Sequence, residues 1–93
     1  MIARHKDESL NIVFKYEDGV IPDGYKAKMK IIKDDFLFEK ELDISEDATK
    51  FLLNITTDEM ANFEGNYKLI VLLYNDDIGY GQYLTEEILS VKE

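Results

Sequence analysis

The sequence predicts an all-β sandwich of about six to seven short antiparallel strands with one short helix. Three observations carry that prediction. Several short stretches alternate apolar and polar side chains, the period of a half-buried strand. Turn-forming clusters such as Glu17-Asp18-Gly19, Pro22-Asp23-Gly24 and Asn75-Asp76-Asp77-Ile78-Gly79 separate them. Only one segment, near Thr56, carries helix signals.

Leu10, Ile12, Phe14 and Tyr16 share one face of a first strand, with Asn11 and Lys15 on the other. Tyr25, Ala27, Met29 and Ile31 point inward from a second strand, and Lys26, Lys28 and Lys30 form an outward stripe. Lys33-Asp34-Asp35 reverses the chain into a third strand, Phe36 to Leu42. Its Glu39 and Glu41 are placed to face the lysines, because opposite charges across a strand pair attract. The stripe therefore reads as a solvated, paired sheet face rather than a ligand site. Ser45 to Thr49 is polar and reads as loop, and Phe51, Leu53 and Ile55 line the inner face of a fourth strand.

Thr56 and Glu59 have the spacing of a capping box, and Ile55 and Met60 that of a hydrophobic staple. Gly65 suits a helix stop. The expected helix runs from Thr57 to Phe63. The fifth strand, Tyr67 to Tyr74, is apolar on both faces: Tyr67, Leu69, Val71 and Leu73 on one, Ile70, Leu72 and Tyr74 on the other. A last strand, Tyr80 to Val91, is expected to bend near Thr85.

With 93 residues the chain is one domain. The domain is expected over residues 6–93, with 1–5 as a flexible end. Net charge is −9, from 20 carboxylates and 11 basic residues. That balance disfavours phosphate-backbone binding and suits basic partners, nucleic-acid mimicry or plain solubility. There is no cysteine, so neither a disulfide framework nor a thiolate metal site can form. The polar start, Met1 to Glu8, lacks the apolar stretch of a signal peptide, and no run approaches the roughly 20 apolar residues of a membrane span. Neither signal-peptide secretion nor membrane contact is expected.

Phe63-Glu64-Gly65-Asn66-Tyr67-Lys68-Leu69 resembles the corner of immunoglobulin-type sandwiches, where an acidic residue, a Gly and a Tyr precede a strand. The resemblance implies an immunoglobulin-like sandwich with Gly65 and Tyr67 as a structural corner, the Tyr hydroxyl tying back to nearby backbone. Leu69 stands where antibody domains carry a half-cystine, and the strand Trp is missing. Gly24-Tyr25-Lys26-Ala27, followed by Gly65-Asn66-Tyr67 and a C-terminal strand, is also similar to small sandwich proteins of bacteriophage particles, found in tail, baseplate or neck and in prophages. That resemblance covers most of the chain from Ser9 onward and implies a non-enzymatic structural role and a location in the host-cell cytoplasm or virion. It carries over no catalytic residue.

The sequence offers little chemistry. His5 is the only histidine, which excludes a His-based triad or multi-His metal site within one chain. Ser9, Ser45 and Ser90 lack the Gly-x-Ser-x-Gly elbow, and Gly79-Tyr80-Gly81 has no third glycine and no helix after it. Asp76 and Asp77 fail the EF-hand spacing. No enzyme activity, cofactor or metal is expected.

Two recognition surfaces are expected instead. Asp76, Asp77, Tyr80 and Tyr83 flank the last hairpin, a common place for recognition. Ile70, Leu72 and Tyr74 would form an apolar outer strip. Cover by the helix or the N-terminal segment is one account of that strip; contact with another copy or a protein partner is the favoured one. The alternative function is a small acidic inhibitor that blocks a basic nucleic-acid-binding surface of a host defence protein. A sugar-binding module is disfavoured, because its usual exposed Trp is absent.

Overall fold

Eight strands and one four-residue helix build two facing sheets, an all-β sandwich. The computed structural model describes residues 1–93. In chain order the elements are β1 (Ile2–His5), β2 (Leu10–Lys15), β3 (Lys26–Lys33), β4 (Phe36–Glu41), β5 (Asp43–Ile44), β6 (Lys50–Ile55), α1 (Thr57–Met60), β7 (Gly65–Asn75) and β8 (Tyr80–Lys92). One sheet has the order β1-β8-β7-β3-β4 and the other β2-β6-β5.

The inner faces supply the core. Ala27, Met29 and Ile31 of β3, Leu69 and Val71 of β7, and Leu89 of β8 are fully buried against Leu10 of β2 and Ile55 of β6. No charged or polar residue is buried with them. The strand alternation reaches the core because a period of two puts every second residue on the same face.

Helix α1 starts as the capping box requires. Glu59 N–H donates to the Thr56 hydroxyl at 3.2 Å, and Thr56 N–H donates to the Glu59 carboxylate at 2.9 Å. It is shorter than expected and ends at Met60 rather than Phe63. The reason is local: Asn62 and Phe63 N–H groups bond three residues back, to Glu59 and Met60, so the chain tightens into turns. This places Phe63, fully buried, against Phe36, Phe38 and Tyr67, with ring centroids 5.2–5.6 Å apart.

The N-terminal segment departs from expectation. Residues 2–5 are not a loose end but strand β1, paired with β8 from Ile2↔Leu89 to His5↔Lys92. That pairing is parallel, so the sandwich is not wholly antiparallel. Ile2 packs against the core, and a short alternation of Ile2 and Arg4 among charges is too weak to read as a strand.

The bend expected near Thr85 is a β-bulge. The register shifts between Val71, opposite Thr85, and Leu72, opposite Tyr83, leaving Leu84 as the extra residue. Leu84 turns toward the core and packs against it.

Candidate functional site

The outer face of the five-stranded sheet holds the residues expected as an apolar strip. Lys28 and Lys30 stand opposite Glu41 and Glu39 in register. Both ammonium groups lean on Glu39, at 3.7 and 3.9 Å. Glu41 instead accepts a hydrogen bond from the Tyr74 hydroxyl at 2.7 Å, and the Lys28 ammonium sits 5.0 Å from the centre of the Tyr74 ring. The Glu41 carboxylate, with burial and the nearby acids, pushes the Tyr74 phenol up to about 12.

Ile70 is 7% exposed, and it is the one buried residue outside the inter-sheet core. This corrects the expected open strip. Ile70 sits on a central strand between Lys30 of β3 and Glu86 of β8. The Lys68–Glu86 ion pair, 3.2 Å, runs beside it. A short branched side chain lies low on a sheet, and the longer lysine and glutamate stems around it rise above it. Neither the helix nor the N-terminal segment provides the cover: α1 turns Met60 into the core, and β1 lies beyond β8. Leu72 and Tyr74 are half-buried.

The hairpin residues do not form one surface. Asp76 and Asp77 lie in the turn, where Asp77 N–H donates to the Asn75 side chain at 3.0 Å. Tyr80 shares a face with the inner residues and meets Tyr25 edge-on at 5.3 Å. Tyr83 lies opposite Leu72 on the outer face and is 63% exposed. No group of three or more His, Asp or Glu side chains is placed to hold a metal ion.

At the corner, the Tyr67 hydroxyl accepts from Glu64 N–H at 2.8 Å, and Gly65 has φ 96°. Lys33 closes this corner from the end of β3. Its ammonium donates to the Glu64 carbonyl at 2.9 Å and lies 5.2 Å from the Tyr67 ring centre. Two other polar knots hold loops. Asp47 accepts from Ser45 and Thr49 hydroxyls, both at 2.7 Å, and these bonds, with the Thr49 N–H, pull its carboxyl down to about 2. Burial pushes the Glu59 carboxyl up, but the Lys40 ammonium at 2.7 Å and the Thr56 bonds outweigh it and hold the group below its ordinary value.

A feature the sequence reading missed lies at the side of the sandwich. β2 is the edge of its sheet, and β1 covers β8 only from Leu89 to Lys92. Tyr80 to Ile88 of β8 therefore has β7 on one side and no strand on the other. Between the two open edges is a cleft of about 420 Å³. Phe14, Tyr16, Phe51, Val71 and Leu84 give it apolar walls, and Glu17, Asp18 and Lys15 stand at its mouth. Burial first, then the nearby Asp18 and the Tyr80 and Tyr25 hydroxyls, raise the Tyr16 phenol above its ordinary value. The signal available in the sequence was Tyr83-Leu84, two large side chains in succession that break strand alternation.

The chain matches no protein-family model and no curated protein. No helix is long and apolar enough to cross a membrane.

Proposed function

We propose that this chain is a non-enzymatic, immunoglobulin-like interaction module that serves as a structural component of a phage or prophage particle. The observation that carries the interaction reading is the cleft between β2 and the bulged β8, which offers apolar walls and an open strand edge together. Interfaces need both contact area and hydrogen-bonding groups, and this is where the fold leaves both accessible. The immunoglobulin-like reading is supported by the strand orders β2-β6-β5 and β1-β8-β7-β3-β4 and by the Gly65–Tyr67 corner. The particle reading rests on the Gly24-Tyr25-Lys26-Ala27 and Gly65-Asn66-Tyr67 resemblance.

Mass spectrometry of density-purified particles from an induced lysogen carrying the gene tests this role. The chain is expected at a fixed ratio to the major tail protein across preparations. Its absence from intact particles, with the chain present in the lysate, would remove the particle role.

A second reading, an acidic inhibitor of a basic nucleic-acid-binding surface, draws on the charge layout. Lys28 and Lys30 of the lysine stripe are already engaged by Glu39, whereas Glu17, Asp18, Asp76 and Asp77 lie exposed in turns. A salt-sensitive complex with a host nuclease, and no chain in particles, would favour it.

A further inference from the structure

We infer that the free edge of β8 binds a basic, extended peptide segment, which adds as a strand beside Tyr80–Ile88 in line with β1. The inference rests on the interaction reading above and names the partner class of that same cleft.

The geometry comes from what β1 leaves uncovered. β8 pairs with β7 from Tyr80 to Val91, apart from the bulged Leu84, but with β1 only at Leu89–Lys92. In a strand, backbone N–H and C=O groups point alternately to the two sides. Those of Tyr80–Ile88 that point away from β7 have no strand beside them. An added strand would satisfy them, and its alternate side chains would point into the cleft beside it. At about 420 Å³ the cleft falls within the size of pockets that take bound groups, roughly 300–1,000 Å³. Its lining includes the buried Phe51 and Val71 and the half-buried Phe14 and Leu84.

Charge selects the occupant. Glu86, paired with Lys68, faces the outer side of the free edge, opposite Ile70. Glu87, paired with the Met1 ammonium, faces the inner side, opposite Leu69. Glu17 and Asp18 line the cleft from the turn after β2 without an ion pair. Lys15 is the lone basic residue lining it. Glutamates and a bulge on an edge strand guard it against indiscriminate pairing. Here they also discriminate between partners. Two copies meeting edge to edge at β8 would bring four glutamates to one seam, on a chain whose net charge is −9. A strand carrying lysine or arginine would meet Glu86 from its outward positions and Glu17 and Asp18 from the positions nearest the turn after β2, and its apolar positions would fill the cleft.

The test uses isotope-labelled full-length protein and three short synthetic peptides. The first alternates lysine and valine, the second alternates glutamate and valine, and the third repeats the first with alternate backbone nitrogens methylated. The lysine peptide is expected to shift the amide signals of Tyr80–Ile88 and of Val13–Tyr16, with binding that weakens as salt rises. The glutamate peptide is expected to leave them unmoved. The methylated peptide keeps charge and apolar groups but loses strand hydrogen bonding, and should lose the shifts. In a Glu86→Lys/Glu87→Lys variant, which alters exposed or half-exposed side chains and breaks the surface ion pairs with Lys68 and the Met1 ammonium, the preference should reverse toward the glutamate peptide. Equal binding of lysine and glutamate peptides, full binding by the methylated one, or shifts confined to the Lys28–Lys30 face would each overturn the inference. Self-association of the unliganded protein through β8 would overturn it as well. Failure here would leave the particle role to stand or fall on its own measurement.

Discussion

The Tyr67 hydroxyl accepts a hydrogen bond from the Glu64 backbone N–H at 2.8 Å, across the turn that carries the chain from α1 into β7. The donor is a backbone group that the turn leaves without a strand partner. The ring meanwhile packs edge-on to Phe63 and Phe36. One side chain thus fixes the turn and fills the core beneath it. Tyr67→Phe keeps the ring and leaves the N–H of Glu64 unpaired. It should cost about 0.5–1.5 kcal/mol in urea unfolding. Gly65→Ala should cost about 1–3 kcal/mol, because φ is 96° there and an added Cβ would stand 2.7 Å from the Lys33 ammonium. Unfolding midpoints equal to wild type for both variants would contradict the corner.

Ile70 and Leu72 give a second prediction. Ile70 is buried among its neighbours on the sheet, so Ile70→Thr should lower stability by about 1–3 kcal/mol. Leu72→Lys should cost less, because Leu72 is half-buried and a lysine can extend outward. Chemical unfolding and sedimentation of each variant separate the outcomes. Unchanged stability with loss of a wild-type oligomer would show that the strip is an interface after all.

Tyr74 should be the last of the six tyrosines to ionise. Its folded pKa of about 12 lies above the ordinary 10.0, so the folded state holds this proton more tightly. The stabilisation is complete below pH 10 and fades as pH rises from about 10 to about 12. A spectrophotometric titration should show one late phenolate that disappears in Tyr74→Phe. An unchanged late phase in that variant would assign it elsewhere.

Asp47 works in the opposite direction. Its folded pKa is about 2 against an ordinary 3.8, so its contribution is present above pH 3.8 and fades as pH falls toward 2. Carbon-detected titration of the carboxyl group measures this directly. Thr49→Val, which removes the hydroxyl that donates at 2.7 Å, should move the midpoint back upward. A midpoint already at the ordinary value in wild type would contradict the Ser45–Asp47–Thr49 knot.

The strands were legible wherever one face is buried and the other wet. Lys26 to Ile31 and Phe51 to Ile55 alternate in sequence and in burial alike. Thr56 and Glu59 announced the helix start because capping is local chemistry. The helix end was harder to read, since the tightening after Met60 follows from where Phe63 packs. β1 escaped notice because its partner, Leu89–Lys92, is almost the whole chain away. The double apolar face of β7 pointed outward from the sequence, yet what covers Ile70 comes from β3 and β8, and periodicity along β7 does not contain them. The cleft was missed for the same reason. Phe14 and Leu84 lie far apart in sequence, and only the facing of two sheet edges brings them together.

Native-state amide hydrogen exchange on the unliganded protein tests the open edge most directly. Alternate amides from Tyr80 to Ile88 should be protected by β7 while those between them exchange quickly, and Leu89 to Val91 should be protected on both sides. The quick amides should slow when the lysine–valine peptide is added. Uniform protection from Tyr80 to Val91 in the protein alone would mean the edge is already occupied, and would contradict the account.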